Sequence, residues 1–212
     1  TENSKLALAF QREVMNNIIP VVQPDLIHCN DWMTGLIPAM ARVHNIPCLF
    51  TVHNIHTVRN TMAEIEDRGI DAASFWFNLY FERNPINYEE SRNVNFVDYL
   101  ASGVFAAHYV NTVSMTFLDE VVSGMHPFIQ KSLREELINK AKTGCALGII
   151  NAPDSSFNPE SDKSLKQVYT PNNHVSGKRE NKKYLQSKLG LICDNNAPLF
   201  FWPSRLDKIQ KG

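Results

Sequence analysis

The sequence predicts an α/β protein with a doubly wound parallel sheet, followed by the first helix and strand of a second domain. Two observations predict this class. Short apolar segments typical of buried strands alternate with longer segments in which apolar residues recur every three or four positions, as on one face of a helix. The segments between successive strands are long enough for a helical crossover, which is how parallel strands are connected.

The chain opens with a predicted helix, and a strand–helix–strand unit follows it. Residues 3–19 are expected to be helical, with Pro20 directly after them. A short buried strand is predicted at residues 25–29, and the next strand at residues 48–52, introduced by Pro47. Between the two strands, apolar and small residues recur at helical spacing, namely Trp32, Gly35, Leu36, Ala39, Met40 and Val43.

The middle of the chain contains an insertion and then returns to the alternating pattern. Residues 55–90 show no clean period, and we expect a long insertion with some helix in it. Its aromatic cluster is expected to pack in the core or in a lid, and a sugar-stacking surface is the alternative interpretation. The remaining elements of this domain are predicted as helix 93–106, strand 108–114, helix 116–122, helix 128–142 and strand 145–150.

The composition changes after residue 151. Residues 152–175 are rich in Pro, Asn, Ser and Asp, which is typical of a linker or a surface loop. Ser176 is expected to cap a helix over residues 178–189, which Gly190 would close. A strand is predicted at residues 198–203. The predicted domain bounds are 1–160 for the first domain, 161–175 for the linker and 176–212 for the start of a second domain.

The composition is that of an ordinary globular protein and argues against two classes of partner. A net charge of −1 over 212 residues gives no electrostatic reason to expect nucleic acid or an acidic membrane. No apolar run approaches the roughly 18 residues that a membrane-spanning helix needs. The four cysteines form no Cys-x-x-Cys pair and the chain has no Asn-x-Ser/Thr sequon, which favours a reducing, cytoplasmic setting.

Polar side chains follow most of the predicted strands. In an open parallel sheet, ligands bind beyond the carboxyl ends of the strands. Most of these ends carry hydrogen-bonding groups that suit a polyol, whereas the strand interiors are apolar. The candidate site residues at these ends are Asn30, Asp31, Trp32, His53, Asn54, Ser114 and Asn151.

Each candidate also has a structural interpretation. Asp31 is expected to cap the helix that follows it, a role compatible with a function as well. Trp32 is expected in the core rather than against a ligand. For His53, a structural hydrogen bond and a ligand contact are equally supported interpretations. His53 and His56 have His-x-x-His spacing, but a metal site needs a third ligand, and we predict no metal.

The last stretch of the chain offers a second kind of site. Arg205 and Lys211 follow an apolar segment and lie close to Gly212, a combination that favours binding of an anion such as phosphate over an ordinary solvated pair. No Gly-x-Gly-x-x-Gly follows a strand, and neither a Walker loop nor a Gly-x-Ser-x-Gly elbow is present. Nicotinamide dehydrogenases, P-loop enzymes and α/β-hydrolases are therefore unsupported.

Six motifs in order resemble bacterial glycogen synthases and plant starch synthases. They are Asp25-Leu-Ile-His-Cys-Asn-Asp-Trp, Phe50-Thr-Val-His-Asn, Asn111-Thr-Val-Ser, Ile150-Asn-Ala-Pro-Asp, Asn181-Lys-Lys-x-Leu-Gln and Pro198-Leu-Phe-Phe-Trp-Pro-Ser-Arg-Leu. The resemblance implies a two-domain GT-B architecture, with residues 1–160 forming part of a Rossmann-like, acceptor-side domain. It also implies transfer of glucose from ADP-glucose, or UDP-glucose in some members, to an α-1,4-glucan, with retention and without cofactor or metal.

The resemblance assigns catalytic positions residue by residue. Asn30 and Asp31 match the family's His-Asp-Trp motif, in which the His contacts the transferred glucose; here that position is Asn30, which cannot carry a proton. His53 matches the cleft His of Thr-Val-His-Asn. Asn151 matches the Asn of Asn-Gly-Val-Asp, where Ala152 and Pro153 replace Gly and Val and stiffen the turn.

The remaining assignments concern the donor and the cleft. Arg205 and Lys211 match the pair that neutralises the donor diphosphate, an electrostatic contribution to catalysis. Trp32, Asn54 and Ser114 are possible sugar contacts. The family's Lys-x-Gly-Gly loop and catalytic Glu are not in the sequence. We therefore expect an internal fragment that is inactive alone, from a cytoplasmic bacterial enzyme or a plastid one.

Two alternative functions stay open. One is another GT-B sugar transferase, such as a sucrose-synthase-like enzyme. The other belongs to a different class, a glucan-binding module without catalysis, for which Asn30 and the altered Asn-Ala-Pro-Asp turn leave room.

Overall fold

The computed structural model describes residues 2–206 of the chain. The chain divides into two compact units, Thr1–Asn151 and Ala152–Gly212. The strands are β1 (Ile27–Asn30), β2 (Cys48–Val52), β3 (Arg59–Thr61), β4 (Phe96–Asp98), β5 (Tyr109–Thr112) and β6 (Ala146–Gly148). The α-helices are α1 (Glu2–Glu13), α2 (Ile19–Val22), α3 (Ile37–Val43), α4 (Met62–Glu66), α5 (Tyr88–Arg92), α6 (Tyr99–Ala106), α7 (Met115–Ser123), α8 (Lys131–Lys142) and α9 (His174–Lys188).

The first unit is built on a four-stranded parallel sheet in the order β1-β2-β5-β6. Helices connect the successive strands, and α3, α6, α7 and α8 pack against one another or on the sheet. The predicted α/β class with a parallel sheet is thereby confirmed. Because all four strands point the same way, their carboxyl ends meet at one edge, and the residues that follow them are brought together there.

The two faces of this sheet differ in burial. Cys29, Phe50 and Val110 are register partners on three neighbouring strands and are at most 2% exposed. On the other face, Tyr109 and Leu147 are 60% and 57% exposed. Parallel sheets usually carry helices on both faces. In the described part of the chain the second face is covered only in part, since Thr51 and Asn111 on the same face are 4% and 8% exposed.

Two glycines allow helices to lie close on the buried face. A Cβ at Gly103 of α6 would lie 2.3 Å from ring atoms of Phe50 in β2. A Cβ at Gly148 would come equally close to the backbone of Met115, the first residue of α7. Any side chain at either position would push its helix and strand apart, because these approaches are far inside van der Waals contact.

The first predicted helix is longer than expected and is interrupted. After α1, residues Val14–Ile18 form a π-helical turn, and α2 then runs to Val22, with Gln23 ending it at a φ of 50°. Pro20 therefore does not end the helix. It lies in the first turn of α2, where a missing backbone N–H is tolerated because the wider π turn precedes it.

The predicted helix at residues 93–106 is too long at its start. Phe96–Asp98 form β4, which pairs with β3 in a two-stranded antiparallel sheet, and the helix begins only at Tyr99. The carboxylate of Asp98 accepts the N–H of Ala101 at 2.9 Å and caps α6. Valines in this segment fit a helical period as well as a strand, which is why the period alone placed the boundary wrongly.

The insertion at residues 55–90 contains some helix, as predicted, and a strand that the sequence did not indicate. β3 consists of Arg-Asn-Thr and has no apolar alternation. Thr61 and Glu64 form a capping box at the start of α4. Of the aromatic cluster, Phe75 is buried in the core, whereas Phe77 is 61% exposed.

The second unit contains one long helix among the described residues. α9 begins at His174, so Ser176 lies inside the helix and is not its cap; its hydroxyl instead donates to the carbonyl of Asn173 at 3.0 Å. Gly190 follows the helix end at a φ of 67°, as the prediction of a glycine stop required. Residues 198–203 form no strand, because no neighbouring segment in residues 2–206 pairs with them.

We predict that Asp98 is the main polar determinant of stability in the first unit. Its carboxylate is 3% exposed and also accepts hydrogen bonds from Thr57 Oγ1 at 2.7 Å and Arg59 Nε at 3.1 Å. Asp98→Ala leaves these donors without their acceptor, so the free energy of unfolding in urea should fall by about 3–5 kcal/mol.

The matched control is Glu82→Ala. The Glu82 carboxylate is 52% exposed and lies 3.7 Å from the same Arg59, so its removal should change the free energy of unfolding by less than about 0.5 kcal/mol. Equal losses in the two variants would contradict the special role of Asp98.

We predict acid sensitivity from His108. Its Nδ1 accepts the N–H of Cys48 at 3.1 Å, and burial, with Arg42 and Lys140 nearby, lowers its pKa. At a pH between the lowered pKa and the ordinary His pKa, His108 is therefore protonated in the unfolded chain and not in the folded chain. The stabilising contribution is therefore present above the ordinary His pKa of about 6.5 and is lost as pH falls towards the lowered value.

Urea unfolding between roughly pH 7 and pH 5 tests this prediction. His108→Gln, which keeps a hydrogen-bond acceptor, should lose stability less steeply on acidification than the wild type. His44→Gln is the control, because the ring of His44 is exposed and makes no hydrogen bond within residues 2–206. Parallel pH profiles for the wild type and His108→Gln would refute the assignment.

Candidate functional site

The site lies where β1 and β2 end side by side. The register pairs Asn30 with Thr51, so the loops that follow both strands leave the sheet at the same edge. Four of the predicted residues, Asn30, Asp31, His53 and Asn54, are joined there by hydrogen bonds.

Asp31 links the two loops. Its Oδ1 accepts the backbone N–H of His53 at 2.7 Å and that of Asn54 at 3.3 Å, and its Oδ2 accepts the side-chain amide of Asn54 at 3.3 Å. The prediction that Asp31 caps the following helix is wrong, since its side chain makes no capping bond to the 3-10 turn Trp32–Thr34. The carboxylate is instead directed across to the neighbouring loop.

The backbone of Asp31 is strained. Its φ of 54° and ψ of −176° lie in a region that is nearly restricted to glycine. Such a conformation persists only when surrounding contacts hold it. Here the N–H of Asp31 donates to Thr51 at 3.0 Å and the carboxylate is 7% exposed. The strain is therefore held by the same hydrogen bonds that fix His53.

His53 and Asn30 face each other in the exposed part of the site. His53 Nε2 and Asn30 Oδ1 are 3.0 Å apart. The amide oxygen can only accept, so Nε2 donates in this hydrogen bond, and Nδ1 is an acceptor in the tautomer that carries its single proton on Nε2. Among residues 2–206, Nδ1 has no hydrogen-bond partner, so it is able to accept a hydrogen bond from a ligand hydroxyl.

Thr34 supports Asn30 and was not among the predicted site residues. Its Oγ1 accepts the N–H of Asn30 at 2.7 Å and donates to the carbonyl of Asn30 at 2.8 Å. A hydroxyl four residues after the strand end is a local signal for such a turn, and it could have been found in the sequence.

Thr51 connects three strands beneath the site and was also missed. It donates to Asn111 Oδ1 at 2.6 Å and lies 2.7 Å from His28 Nε2, whose proton it therefore accepts. Thr51 and Asn111 are 4% and 8% exposed. Sequence reasoning could not assign these partners, because they lie 23 and 60 residues from Thr51.

Cys29 precedes the site, and its thiol is expected to be unreactive. It is 2% exposed, and a hydrogen bond to Cys48 together with burial raises its pKa. A neutral, buried thiol is not a nucleophile.

The other predicted strand-end residues have separate surroundings. Trp32 is 8% exposed, as its assignment to the core predicted, and its ring meets His56 edge-on at 5.8 Å between centroids. Ser114 Oγ accepts the N–H of Phe117 at 3.1 Å and caps α7. Asn151 is exposed and makes no hydrogen bond to another described residue. The structure thus does not link Ser114 or Asn151 to His53.

The two predicted phosphate-binding cations are not brought together by the described residues. Arg205 lies in the second unit, near the end of the described range, and the hydroxyl of Ser204 donates to its carbonyl at 3.3 Å. Lys211 lies outside the described residues. The proposed diphosphate site therefore stays a prediction.

Two kinds of feature are absent from the described part of the chain. No group of three His, Cys, Asp or Glu residues lies close enough to hold a metal ion. None of the helices within residues 2–206 is long and apolar enough to cross a membrane.

An apolar groove opens beside the site. It has a volume of about 670 Å³ and is lined by Asn30 and Trp32 from the strand end and by Phe10 from α1. Phe10 is 51% exposed, so an aromatic surface lies next to the hydrogen-bonding groups. Amide and imidazole groups beside an aromatic surface suit an uncharged hydroxylated ligand.

Comparisons with known proteins agree on one family. Residues 1–135 match the family model described as the starch synthase catalytic domain. A glycogen synthase of Acholeplasma laidlawii is 34% identical over 210 residues, which cover 96% of this chain and 41% of the relative. A glycogen synthase of Exiguobacterium sibiricum is 32% identical, with 89% and 38% covered. The chain thus spans about two fifths of the length of these relatives.

One solved structure is similar in fold. It is the catalytic domain of Starch Synthase IV from Arabidopsis thaliana, bound to ADP and acarbose, with a TM-score of 0.68 and 24% identity. The match covers 90% of this chain and 38% of that one. At this identity the likeness establishes the fold.

We predict that the Asp31 carboxylate protects the loop after β2. In Asp31→Ala the amide hydrogens of His53 and Asn54 lose a charged acceptor, and their exchange with solvent should become about 10- to 100-fold faster. Native-state hydrogen exchange followed by NMR measures this. Asp119→Ala is the control, because that carboxylate on α7 is exposed and makes no hydrogen bond to another described residue. Unchanged protection in Asp31→Ala would show that other contacts hold the loop.

Proposed function

We propose, since the chain belongs to the starch synthase catalytic domain family, that it carries the acceptor-side part of a retaining glucosyltransferase. The proposed reaction moves glucose from ADP-glucose to the end of an α-1,4-glucan. UDP-glucose is the alternative donor. Because the chain spans about two fifths of its curated relatives, the transfer is proposed for a protein that contains these residues together with the other regions of those relatives.

The observation that supports this function most directly is the group of strand-end residues. Asn30 and His53 present hydrogen-bonding atoms beyond the sheet edge, and Asp31 fixes the loop that carries His53. A sugar has many hydroxyls and no charge, so its recognition needs neutral donors and acceptors held in fixed positions.

Each residue then has a distinct proposed role. Nδ1 of His53 accepts a hydrogen bond from a glucosyl hydroxyl, and the side-chain amide of Asn30 donates a hydrogen bond to the same sugar. Asn30 carries no proton to or from the reaction, since a carboxamide does not titrate. Asp31 does not touch the sugar, because its carboxylate is engaged with His53 and Asn54. It acts by positioning the other two.

The remaining residues are proposed on the family resemblance. Arg205 and Lys211 would neutralise the departing diphosphate, which lowers the barrier electrostatically. Asn151, Trp32, Asn54 and Ser114 would border the sugar or support the residues that do. Trp32 and Ser114 already have structural roles, so we assign their contribution to shaping the cleft.

The proposed setting is the bacterial cytoplasm. The named relatives are bacterial glycogen synthases. All four cysteines are free, although Cys29 and Cys48 are hydrogen-bonded neighbours. An oxidising compartment would favour pairing of such thiols.

Transfer of labelled glucose from ADP-glucose to glycogen by the full-length protein tests the proposal. His53→Ala should lower kcat by about 100-fold or more, because positioned hydrogen bonds to a reacting sugar contribute on this scale. Asp31→Asn should lower it less, since Asn retains part of the acceptor capacity. Asp119→Asn on α7 is the matched control and should keep wild-type rates.

The alternatives predict different outcomes. Transfer that requires sucrose or UDP-glucose would indicate another GT-B transferase. Binding of maltooligosaccharides without any transfer would indicate a glucan-binding module. Wild-type kcat in His53→Ala would contradict the proposed site, whatever the donor.

A further inference from the structure

Three basic side chains meet at the amino edge of the sheet, opposite the edge that carries His53. Arg42 lies in the last turn of α3, Lys140 lies in the last turn of α8, and His108 lies between α6 and β5. These helices lead into β2, β6 and β5, so all three of them end where the parallel strands begin. The topology therefore gathers the three basic groups at one edge.

The charged groups of Arg42 and Lys140 reach back to buried backbone. Arg42 Nε donates to the carbonyl of Ala106, and Lys140 Nζ donates to the carbonyl of Ala107, the next residue. Ala106 and Ala107 are 1% and 0% exposed. Because two consecutive carbonyls accept from them, the guanidinium and the ammonium lie close together at the end of α6.

His108 adds a third hydrogen-bond donor beside these two cations. Burial lowers the pKa of His108, and the positive charges of Arg42 and Lys140 lower it further, so the ring is neutral at pH 7. Its Nδ1 accepts the N–H of Cys48 at 3.1 Å, which leaves the ring proton on Nε2. Within residues 2–206, this Nε2–H has no hydrogen-bond partner.

Capping of α6 accounts for only part of the arrangement. Cations at the carboxyl end of a helix hydrogen-bond the last carbonyls and compensate the helix dipole. That role uses one N–H of Arg42 and one N–H of Lys140. Both groups have further N–H donors, and these make no hydrogen bond to another described residue. Every unused polar atom of the three side chains is therefore a donor.

The positive charge at this edge is not neutralised by a neighbouring carboxylate. Neither Arg42 nor Lys140 forms an ion pair with another residue of the described range. Burial and Arg42 lower the pKa of Lys140, and the opposing effects of Cys145 and Glu136 are smaller. The ammonium of Lys140 is thus half-buried beside a like charge, a cost that a bound anion would relieve.

We propose that Arg42, His108 and Lys140 bind a phosphate dianion, either free or as the end group of a phosphate monoester. The donors come from three elements of the fold, so the ligand has to present acceptor oxygens in several directions. A tetrahedral phosphate does so, whereas a carboxylate presents its oxygens in one plane. Arg42 is exposed and the other two side chains are half-buried, so a small anion can reach them.

NMR titration of the chain with inorganic phosphate tests the proposal, with sodium chloride at equal ionic strength as the reference. We expect saturable shifts of the His108 ring and the Lys140 ammonium, with a Kd of about 1 mM. Glycerol 2-phosphate is the monoester probe. Tighter binding of this probe than of phosphate would assign the site to monoesters, and weaker or equal binding would assign it to free phosphate.

Charge-changing variants test the assigned donors. Lys140→Gln removes a charged donor and should raise the Kd for phosphate about tenfold. Arg42→Lys keeps the charge but loses the planar guanidinium, and we expect an increase of about threefold. Lys142→Gln is the matched control, because Lys142 lies in the same turn of α8, is exposed and makes no hydrogen bond or ion pair to another described residue. Thermal unfolding without phosphate establishes that the variants are folded.

Three results would overturn the proposal. They are no saturable shift at about 20 mM phosphate, the same Kd for acetate as for phosphate, or equal effects of Lys140→Gln and Lys142→Gln.

The readout is separate from the proposed glucosyl transfer and from the proposed diphosphate site. Arg205→Gln and His53→Ala should both keep the phosphate-induced shifts of His108, and their loss in either variant would contradict a site at the amino edge. A full-length protein that transfers no glucose would leave this binding result intact.

Discussion

The carboxylate of Asp31 is the interaction on which the candidate site depends. It is buried between the loops after β1 and β2 and accepts two backbone N–H groups and one amide from the second loop. Without it, a residue at a glycine-type backbone angle would relax, and His53 would no longer have a fixed position. The parallel register brings the two loops together, and this one side chain joins them.

The sheet determines the positions of the helices and of the strand-end loops in the first unit. Its buried face is packed closely enough that glycine is required at two helix–strand contacts, which fixes the helices relative to the strands. The positions of the strand ends are therefore fixed by helix packing on the buried face and by hydrogen bonds between strands, such as the Thr51–Asn111 pair. A site in which an amide and an imidazole face the ligand needs this rigidity, since no metal-binding group among the described residues orients a ligand there.

The sequence predicted most of the fold because the buried strands and the crossover helices have distinct periods. β2 was placed at its observed bounds, Cys48–Val52, by a run of apolar residues after Pro47. β3 and β4 were missed, since Arg-Asn-Thr has no strand pattern and pairs only through tertiary contacts. For the candidate site, residue types at strand ends predicted Asn30 and His53, which the structure places 3.0 Å apart. The partner of Asp31 could not be predicted, because an unusual φ decides where its carboxylate points.

The second face of the sheet bears on the behaviour of the chain in concentrated solution. Tyr109 and Leu147 on this face are largely in water, although the polar Thr51 and Asn111 beside them are buried. Exposed apolar side chains favour self-association of proteins. A net charge of −1 supplies little mutual repulsion between copies, so we expect this face to limit the concentration at which the chain stays dispersed.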